Sequence, residues 1–279
     1  MYICFDGKLL LAGQPALAAD NKSYRYGDGL FETMKMVNGR IPLFPRHIQR
    51  LFQGLERLQF PIPPLFTPEK IQHEIISLCE KNKCSELGRI RLSVSRGEGG
   101  IYEQENDRLH YLIECSPANS SVNDWNEKGL VTGIYPHARK STDAFSGLKS
   151  ANYLPYTMAA RYAMQQQWND CLVLNTAGFL ADATIANIFI VKNNQLLTPA
   201  TNQGGVDGVM RKYLLETLSK AGYTAKETVL SIEEAMAADE LFLTNALYGI
   251  RWVDCLGEKK YTQRLSLQIY RELVQTIWH

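Results

Sequence analysis

The chain has 279 residues and a mass of 31.6 kDa, with 45% hydrophobic and 21% charged residues, a composition that suits a soluble globular protein with room for a sizeable core. Thirty Lys and Arg against 29 Asp and Glu leave a net charge of +1, which excludes a general attraction to nucleic acid or to an anionic membrane surface and makes any anion site a local one. No run approaches the roughly 18 apolar residues of a membrane span, and the opening MYICFDGKLLLAG, interrupted by Asp6 and Lys8, does not read as a signal peptide.

In chain order, residues 1–12 predict a hairpin around Asp6-Gly7, and 30–44 a second around Asn38-Gly39, a dipeptide suited to a type I′ turn. Ile48, Leu51, Phe52, Leu55 and Leu58 recur at helical spacing after Pro45, which predicts a helix to about Gln59. Thr67 and Pro68 form a cap and first position for a second helix through Glu80, which buries Ile71, Ile75 and Leu78. Two strands follow, Arg89–Ser95 and Leu109–Cys115, joined through the glycine-rich RGEGG. Arg89, Arg91 and Arg96 alternate with apolar residues and read as the wet face of the first of these strands.

The polar stretch at 116–129 carries turn formers and little periodicity, so the domain boundary is placed there. The expected division is an N-terminal domain over 1–116, a linker over 117–129 and a larger domain over 130–279. Beyond the linker come a strand at 130–135, a helix at 152–168 and a meander of short strands broken at Asn175–Gly178 and Asn193–Asn194. A helix is expected from about Gly208 to Ala221, a short one capped by Ser231 and Glu234, a strand at Leu241–Thr244 and a last helix over 263–277. The expected class is α+β with two domains, antiparallel β dominating the second half.

The six cysteines, Cys4, Cys79, Cys84, Cys115, Cys171 and Cys255, include no CxxC pair and read as free thiols of a reducing compartment, mostly small core residues. A cytoplasmic location follows. The histidines, His47, His73, His110, His137 and His279, form no HxxxH or HxH pair, so no metal is indicated and each reads as a surface or hydrogen-bonded structural group. GGVDGVMRKYLLETL at 204–218 leads glycines into an amphipathic helix whose first turn leaves N–H groups unpaired, a site for a phosphate or a carboxylate. It lacks GK[ST] and GxGxxG, so nucleotide binding is not indicated, and a GxSxG nucleophile turn is missing too.

Five ordered segments together resemble the class IV pyridoxal-phosphate enzymes: RYGDGLFETMKMVNGRIPLFPRHIQRL at 25–51, LKSANYLPY at 148–156, ANIFIV at 186–191, GGVDGVMR at 204–211 and ADELFLTNAL at 238–247. That family holds branched-chain aminotransferases, D-amino-acid aminotransferases and 4-amino-4-deoxychorismate lyases. The resemblance implies a small N-terminal α/β domain, a larger C-terminal pseudo-barrel domain, pyridoxal 5'-phosphate between them, a small amino-group substrate and a homodimer.

Residue by residue, the resemblance makes Lys149 the Schiff-base lysine, whose amine also shuttles protons at the substrate α-carbon. It makes Arg50 the arginine on the cofactor phosphate and Gly208, Val209 and Met210 the phosphate-cradling turn, where the anion site read from the glycines already falls. Val206 matches the apolar residue on the pyridine face, Asn245 and Ala246 lie in a second phosphate-side segment, and Tyr153 matches a tyrosine near the cofactor phenolate oxygen. The family's glutamate at the pyridine nitrogen aligns with Asp182, one methylene shorter, which leaves three outcomes open: reach through a shifted backbone, reach through a water, or no contact.

Thr33 matches the lyase threonine near the substrate α-carbon where branched-chain enzymes have glycine, and VDGVMR, TNAL and SRGEGG are similar to lyase segments. Tyr153 is of the branched-chain type, and the D-amino-acid arginine-histidine trap after Arg96 is missing, though Arg96, Tyr102 and the loop around them remain substrate-binding candidates. The resemblance therefore implies a lyase forming p-aminobenzoate and pyruvate. The alternatives are a branched-chain or D-amino-acid aminotransferase and a cofactor-binding homologue impaired by Asp182.

Overall fold

The computed structural model describes residues 1–278, so His279 lies outside the described residues. The chain forms two compact units: Met1–Val122 together with Lys149–Asn152, and the remainder. It therefore leaves the second unit at Leu148, contributes four residues to the first, and returns at Tyr153.

The first unit contains β1 (Tyr2–Phe5), β2 (Lys8–Leu11), α1 (Lys22–Tyr26), β3 (Gly29–Val37), α2 (Phe44–Arg57), α3 (Pro68–Lys81), β4 (Leu87–Arg96) and β5 (Leu109–Pro117). Its sheet is antiparallel throughout, in the order β2-β1-β5-β4-β3. Asp6 and Gly7 take φ of 48° and 81°, the left-handed pair that a tight hairpin turn requires. Asn38 and Gly39 make the same kind of turn, at 49° and 75°, but no second strand follows. Only Val37 and Arg40 face each other there, while β3 pairs along its whole length with β4. The expected hairpin at 30–44 fails because Pro45, in the first turn of α2, commits the chain to helix only a few residues later. α2 buries Ile48, Leu51 and Leu55, and α3, whose Lys70 N–H donates to Thr67 Oγ1 at 3.3 Å, buries Ile71, Ile75 and Leu78.

The second unit contains β6 (Leu130–Ile134), α4 (Leu154–Gln165), β7 (Asp170–Leu174), β8 (Leu180–Ala183), β9 (Asn187–Lys192), β10 (Gln195–Pro199), α5 (Val209–Lys220), β11 (Ala225–Thr228), α6 (Ile232–Met236), β12 (Glu240–Asn245), β13 (Gly249–Leu256), β14 (Lys259–Lys260) and α7 (Arg264–Ile269). The strand order is β11-β10-β9-β12-β13-β6-β7-β8, with β14 beside β13. β8 closes back on β9 through Ala183 N–H donating to Ala186 O at 2.8 Å, so the sheet curls, as the class IV resemblance implies.

Three pairings, β10 with β11, β13 with β6 and β6 with β7, are parallel, more than a plain meander would give. Two of them follow from crossovers, since α5 lies between β10 and β11 in the chain and α4 between β6 and β7, and parallel neighbours need such a connection. The core of this unit gathers Leu172, Ile188, Ile190, Leu241, Leu243 and Val253.

The helix expected over 263–277 is α-helical only to Ile269; a π turn follows at Tyr270–Val274 and a 3-10 turn at Gln275–Ile277. The wider turn accompanies burial of Tyr270, Val274 and Trp278, four residues apart, a spacing that suits more than 3.6 residues per turn.

Gly133 in β6 lies so close to the Trp168 ring that an added Cβ would sit 2.1 Å from it. Gly133→Ala is expected to destabilise the protein by about 1–3 kcal/mol through overpacking, read as a lower urea midpoint with an unchanged slope.

Candidate active site

In the first unit, strand alternation places Phe31 and Thr33 on one face of β3 and Glu32 on the other, toward α2. Glu32 is 1% exposed and accepts from Arg50 Nε at 2.7 Å and Nη2 at 2.5 Å. His47 Nδ1 lies 2.7 Å from the same carboxylate, and since an ionised carboxylate only accepts, Nδ1 is the donor. Burial alone would raise the Glu32 carboxyl, but the Arg50 guanidinium and His47 outweigh it and hold it down at about 2. Burial pushes His47 below its ordinary value, against the pull of Glu32, and its Nε2 is buried without a hydrogen-bond partner.

Lys149–Asn152 runs along the edge of β3: Phe31 N–H donates to Lys149 O at 2.9 Å and Ala151 N–H to Gly29 O at 2.8 Å. The Lys149 Nζ lies 4.5 Å from the Phe31 ring centroid, which puts the amine on the face of the sheet that carries Thr33. Thr33 is paired across the ladder with Arg91, whose guanidinium lies 3.9 Å from the same Phe31 ring.

The wet-face reading of the three arginines therefore holds for Arg89, which is exposed, and not for the other two. Arg96 donates to Asp28 Oδ2 at 2.7 Å, Leu58 O at 2.6 Å and Gln59 O at 3.2 Å, with the Phe60 ring 4.2 Å away, so its guanidinium is engaged in closing a loop. Tyr102 is 98% exposed.

In the second unit the central group is Asp182 on β8, fully enclosed. Its Oδ1 accepts from Asn187 Nδ2 at 2.7 Å; its Oδ2 accepts from Val206 N–H at 2.7 Å and Tyr156 Oη at 3.1 Å. Burial raises the carboxyl to about 7, although these three donors and the charge of Lys140 all act the other way. Lys140, whose Nζ lies 4.8 Å from the Tyr156 ring centroid, is itself pushed down by burial. The Tyr153 ring lies tilted against Tyr156, centroids 4.5 Å apart, and its hydroxyl donates to Thr184 O at 3.0 Å.

Asn187 also donates to Val206 O at 2.7 Å, and a Cβ on Gly208 would fall 1.7 Å from Asn187 Oδ1, so only glycine fits there. Gly208 caps α5 without a side-chain hydrogen bond, leaving the N–H groups around Val209 and Met210 to an outside acceptor. Across the ladder from Asn187 stands Thr244, whose Oγ1 is buried with no hydrogen-bond partner. Asn245 ends β12, and its Oδ1 accepts from Leu247 and Tyr248 N–H at 3.0 and 2.9 Å, which makes the turn that contains Ala246.

The first unit thus carries Thr33, Lys149 and Arg50, with Arg50 bound to Glu32 on the face of β3 opposite Thr33, and the second carries Tyr153, Asp182, Val206, Gly208, Val209, Met210, Asn245 and Ala246. Glu32, His47, Tyr156 and Asn187 were not singled out from the sequence. The available signal was a carboxylate inside the apolar run GLFETMKMV and an asparagine opening NIFIVK.

An uncapped twelve-residue helix, a glycine pressed against Asn187 and an unpartnered buried threonine suit a phosphate, and a buried carboxylate poised near neutrality suits a ring nitrogen that carries a proton. Together with a small unit that presents Lys149 on the Thr33-bearing face of β3, these features suit an enzyme of the pyridoxal-phosphate type.

A family model described as amino-transferase class IV matches residues 29–254. The chain is 28% identical over 234 residues to an aminodeoxychorismate lyase of Vibrio harveyi, covering 82% of this chain and 83% of that one. It is 26% identical over 247 residues to a putative branched-chain-amino-acid aminotransferase of Methanocaldococcus jannaschii, covering 88% and 84%. Among solved structures, a branched-chain aminotransferase of Thermoproteus uzoniensis superposes with a TM-score of 0.90 at 21% identity, covering 100% of this chain and 95% of that one. The chain belongs to the class IV aminotransferase family and is a pyridoxal-phosphate-dependent enzyme.

Glu32→Gln removes the charge that answers Arg50 in a buried pair, and should cost about 3–5 kcal/mol at pH 7. Because the folded carboxyl is held at about 2, below its ordinary value, this contribution is present above about pH 4.5. The deficit of Glu32→Gln against the parent, followed by urea denaturation, should shrink as pH falls from 4.5 toward 2.

Proposed function

We propose that the protein is a 4-amino-4-deoxychorismate lyase that releases p-aminobenzoate and pyruvate, working as a cytoplasmic homodimer. The observation that carries this reading is the placement of the Thr33 hydroxyl on the sheet face that bears the Lys149 amine, at the position where branched-chain enzymes have glycine. The 28% identity to a lyase over most of the chain supports it.

When bound, pyridoxal phosphate supplies an aldehyde that condenses with primary amines and a ring that delocalises the electron pair left when a bond to the substrate α-carbon breaks. Lys149 takes the α-proton of the substrate, and Thr33 positions or relays it. Arg50, Gly208, Val209 and Met210 would hold the phosphate, with Thr244 Oγ1 as a further donor and Asn245 and Ala246 shaping the same end; Asp182 would serve the ring nitrogen, Val206 the ring face and Tyr153 the phenolate oxygen. The two products together contain the atoms of the substrate, so a lyase needs no keto acid.

Tyr153, of the branched-chain type, and the aminotransferase relative favour a second reading, transamination of an amino acid by the same Lys149 with a keto acid as acceptor.

Cofactor-loaded protein given 4-amino-4-deoxychorismate without a keto acid should release pyruvate and p-aminobenzoate in equal amounts over many turnovers. Lys149→Ala should abolish this, and Thr33→Val should lower kcat by about 10²–10⁴-fold with little change in KM. No product from the lyase substrate, together with turnover of L- or D-amino acids and 2-oxoglutarate, would establish the transaminase instead. A bound cofactor with neither activity would establish the impaired homologue.

A further inference from the structure

Three cysteines far apart in sequence meet inside the first unit: Cys79 in the last turns of α3, Cys84 in the loop before β4, and Cys115 on β5. All three are buried and free, and their Sγ atoms lie within 4.8 Å of one another. None belongs to the residues that the proposed reaction uses. We propose that this cluster is a trigonal binding site for a soft monovalent d10 cation, of which Cu(I) is the physiological example, held by the three sulfurs.

The geometry fits that coordination. Three sulfurs at about 2.3 Å from a common metal centre stand roughly 4.0 Å apart, so the thiols are already close to the positions that binding requires. Each ligating thiol gives its proton to solvent as the metal–sulfur bond forms.

The chemistry of the pocket selects among metals. Thiolates are soft donors, and among the described residues no His, Asp or Glu joins the three sulfurs to complete the tetrahedral set that structural zinc takes. A buried cluster is also a poor place for the water that zinc would need as a fourth ligand. Calcium and magnesium require oxygen donors and are excluded.

One neighbour acts as an outer-sphere group. Asn82 Nδ2 lies 3.2 Å from Cys115 Sγ and 2.8 Å from Tyr2 O, while Asn82 Oδ1 accepts from Tyr2 N–H at 2.7 Å, so the amide is fixed with its donor toward the sulfur. A donor held toward a ligating sulfur orients it and stabilises its charge.

The backbone is shaped to the same end. Gly88 at the start of β4 is so near Cys84 O that a Cβ would sit 2.6 Å from it, and this close approach sets Cys84 against the sheet.

The test uses the reduced, pyridoxal-phosphate-loaded protein under anaerobic conditions, titrated with Cu(I) from a chromophoric Cu(I) chelator. Withdrawal of one equivalent from the chelator, with three sulfur scatterers at about 2.2–2.3 Å in the copper X-ray absorption spectrum, would support the site. Cys115→Ser and Cys84→Ser, shown to be folded by retained cofactor absorbance, should each weaken binding at least tenfold, and Zn(II) should bind far more weakly than Cu(I). Failure to take copper from the chelator, a spectrum with fewer than three sulfurs, or undiminished binding by the folded serine variants would overturn the proposal. So would a 2 Da mass loss on exposure to air in a protein that takes no copper, since the cluster would then be a disulfide-forming pair. The wild-type spectrum decides the question even where a serine variant does not fold.

Discussion

The second unit is organised around one buried carboxylate. Asp182 receives donors from three separate pieces of chain, Tyr156 of α4, Asn187 of β9 and the Val206 N–H of the segment entering α5. Asn187 then holds Val206 O and leaves no room for a side chain at Gly208, so the same network sets where the N-terminus of α5 points. The carboxylate and the N-terminus of α5 are thus two ends of one hydrogen-bond network.

Two buried carboxylates in this protein illustrate how environment assigns roles. Glu32 meets a guanidinium in bidentate contact and stays ionised, at about 2. Asp182 has only neutral donors in contact with it, and burial carries it to about 7. The unfolded chain releases that proton near pH 3.9, so between about pH 4 and 7 rising pH costs folding stability unless a cation joins the carboxylate. A protonated ring nitrogen is such a cation. Glu32 is consumed in holding α2 to β3, whereas Asp182 has no cation in contact with it, so the two environments suit the carboxylates to different roles.

Much of this architecture was legible locally. Apolar spacing located α2 and α3, Asp6-Gly7 gave a hairpin, Thr67 a cap, and Ser231 with Glu234 a complete capping box. Each of these depends on neighbours within a few residues. What local pattern missed depends on partners distant in sequence. Asn38-Gly39 forms its turn, yet β3 pairs with β4 across some fifty residues, and β6 lies parallel to both β7 and β13. The site divides in the same way. The glycines leading into α5 offered a candidate anion site from local pattern alone, whereas Glu32, His47, Tyr156 and Asn187 gained meaning only when the fold brought their partners to them. Arg96 is the reverse case, an arginine in a suggestive place whose guanidinium the fold spends on Asp28 and two carbonyls.

The length of the Asp182 side chain is matched by its surroundings. An ideal Cβ on Gly205 would lie 2.5 Å from Ala181 O and 3.2 Å from Asp182 Oδ1, so the segment before α5 runs hard against β8, and a longer carboxylate would meet the Val206 backbone. A carboxylate offers about four acceptor sites. Three are taken, two of them on Oδ2, so the remaining capacity is on Oδ1, the oxygen that meets Asn187. The length of this carboxylate and the close approach of the chain before α5 are therefore set together, and the acceptor capacity left over lies on Oδ1.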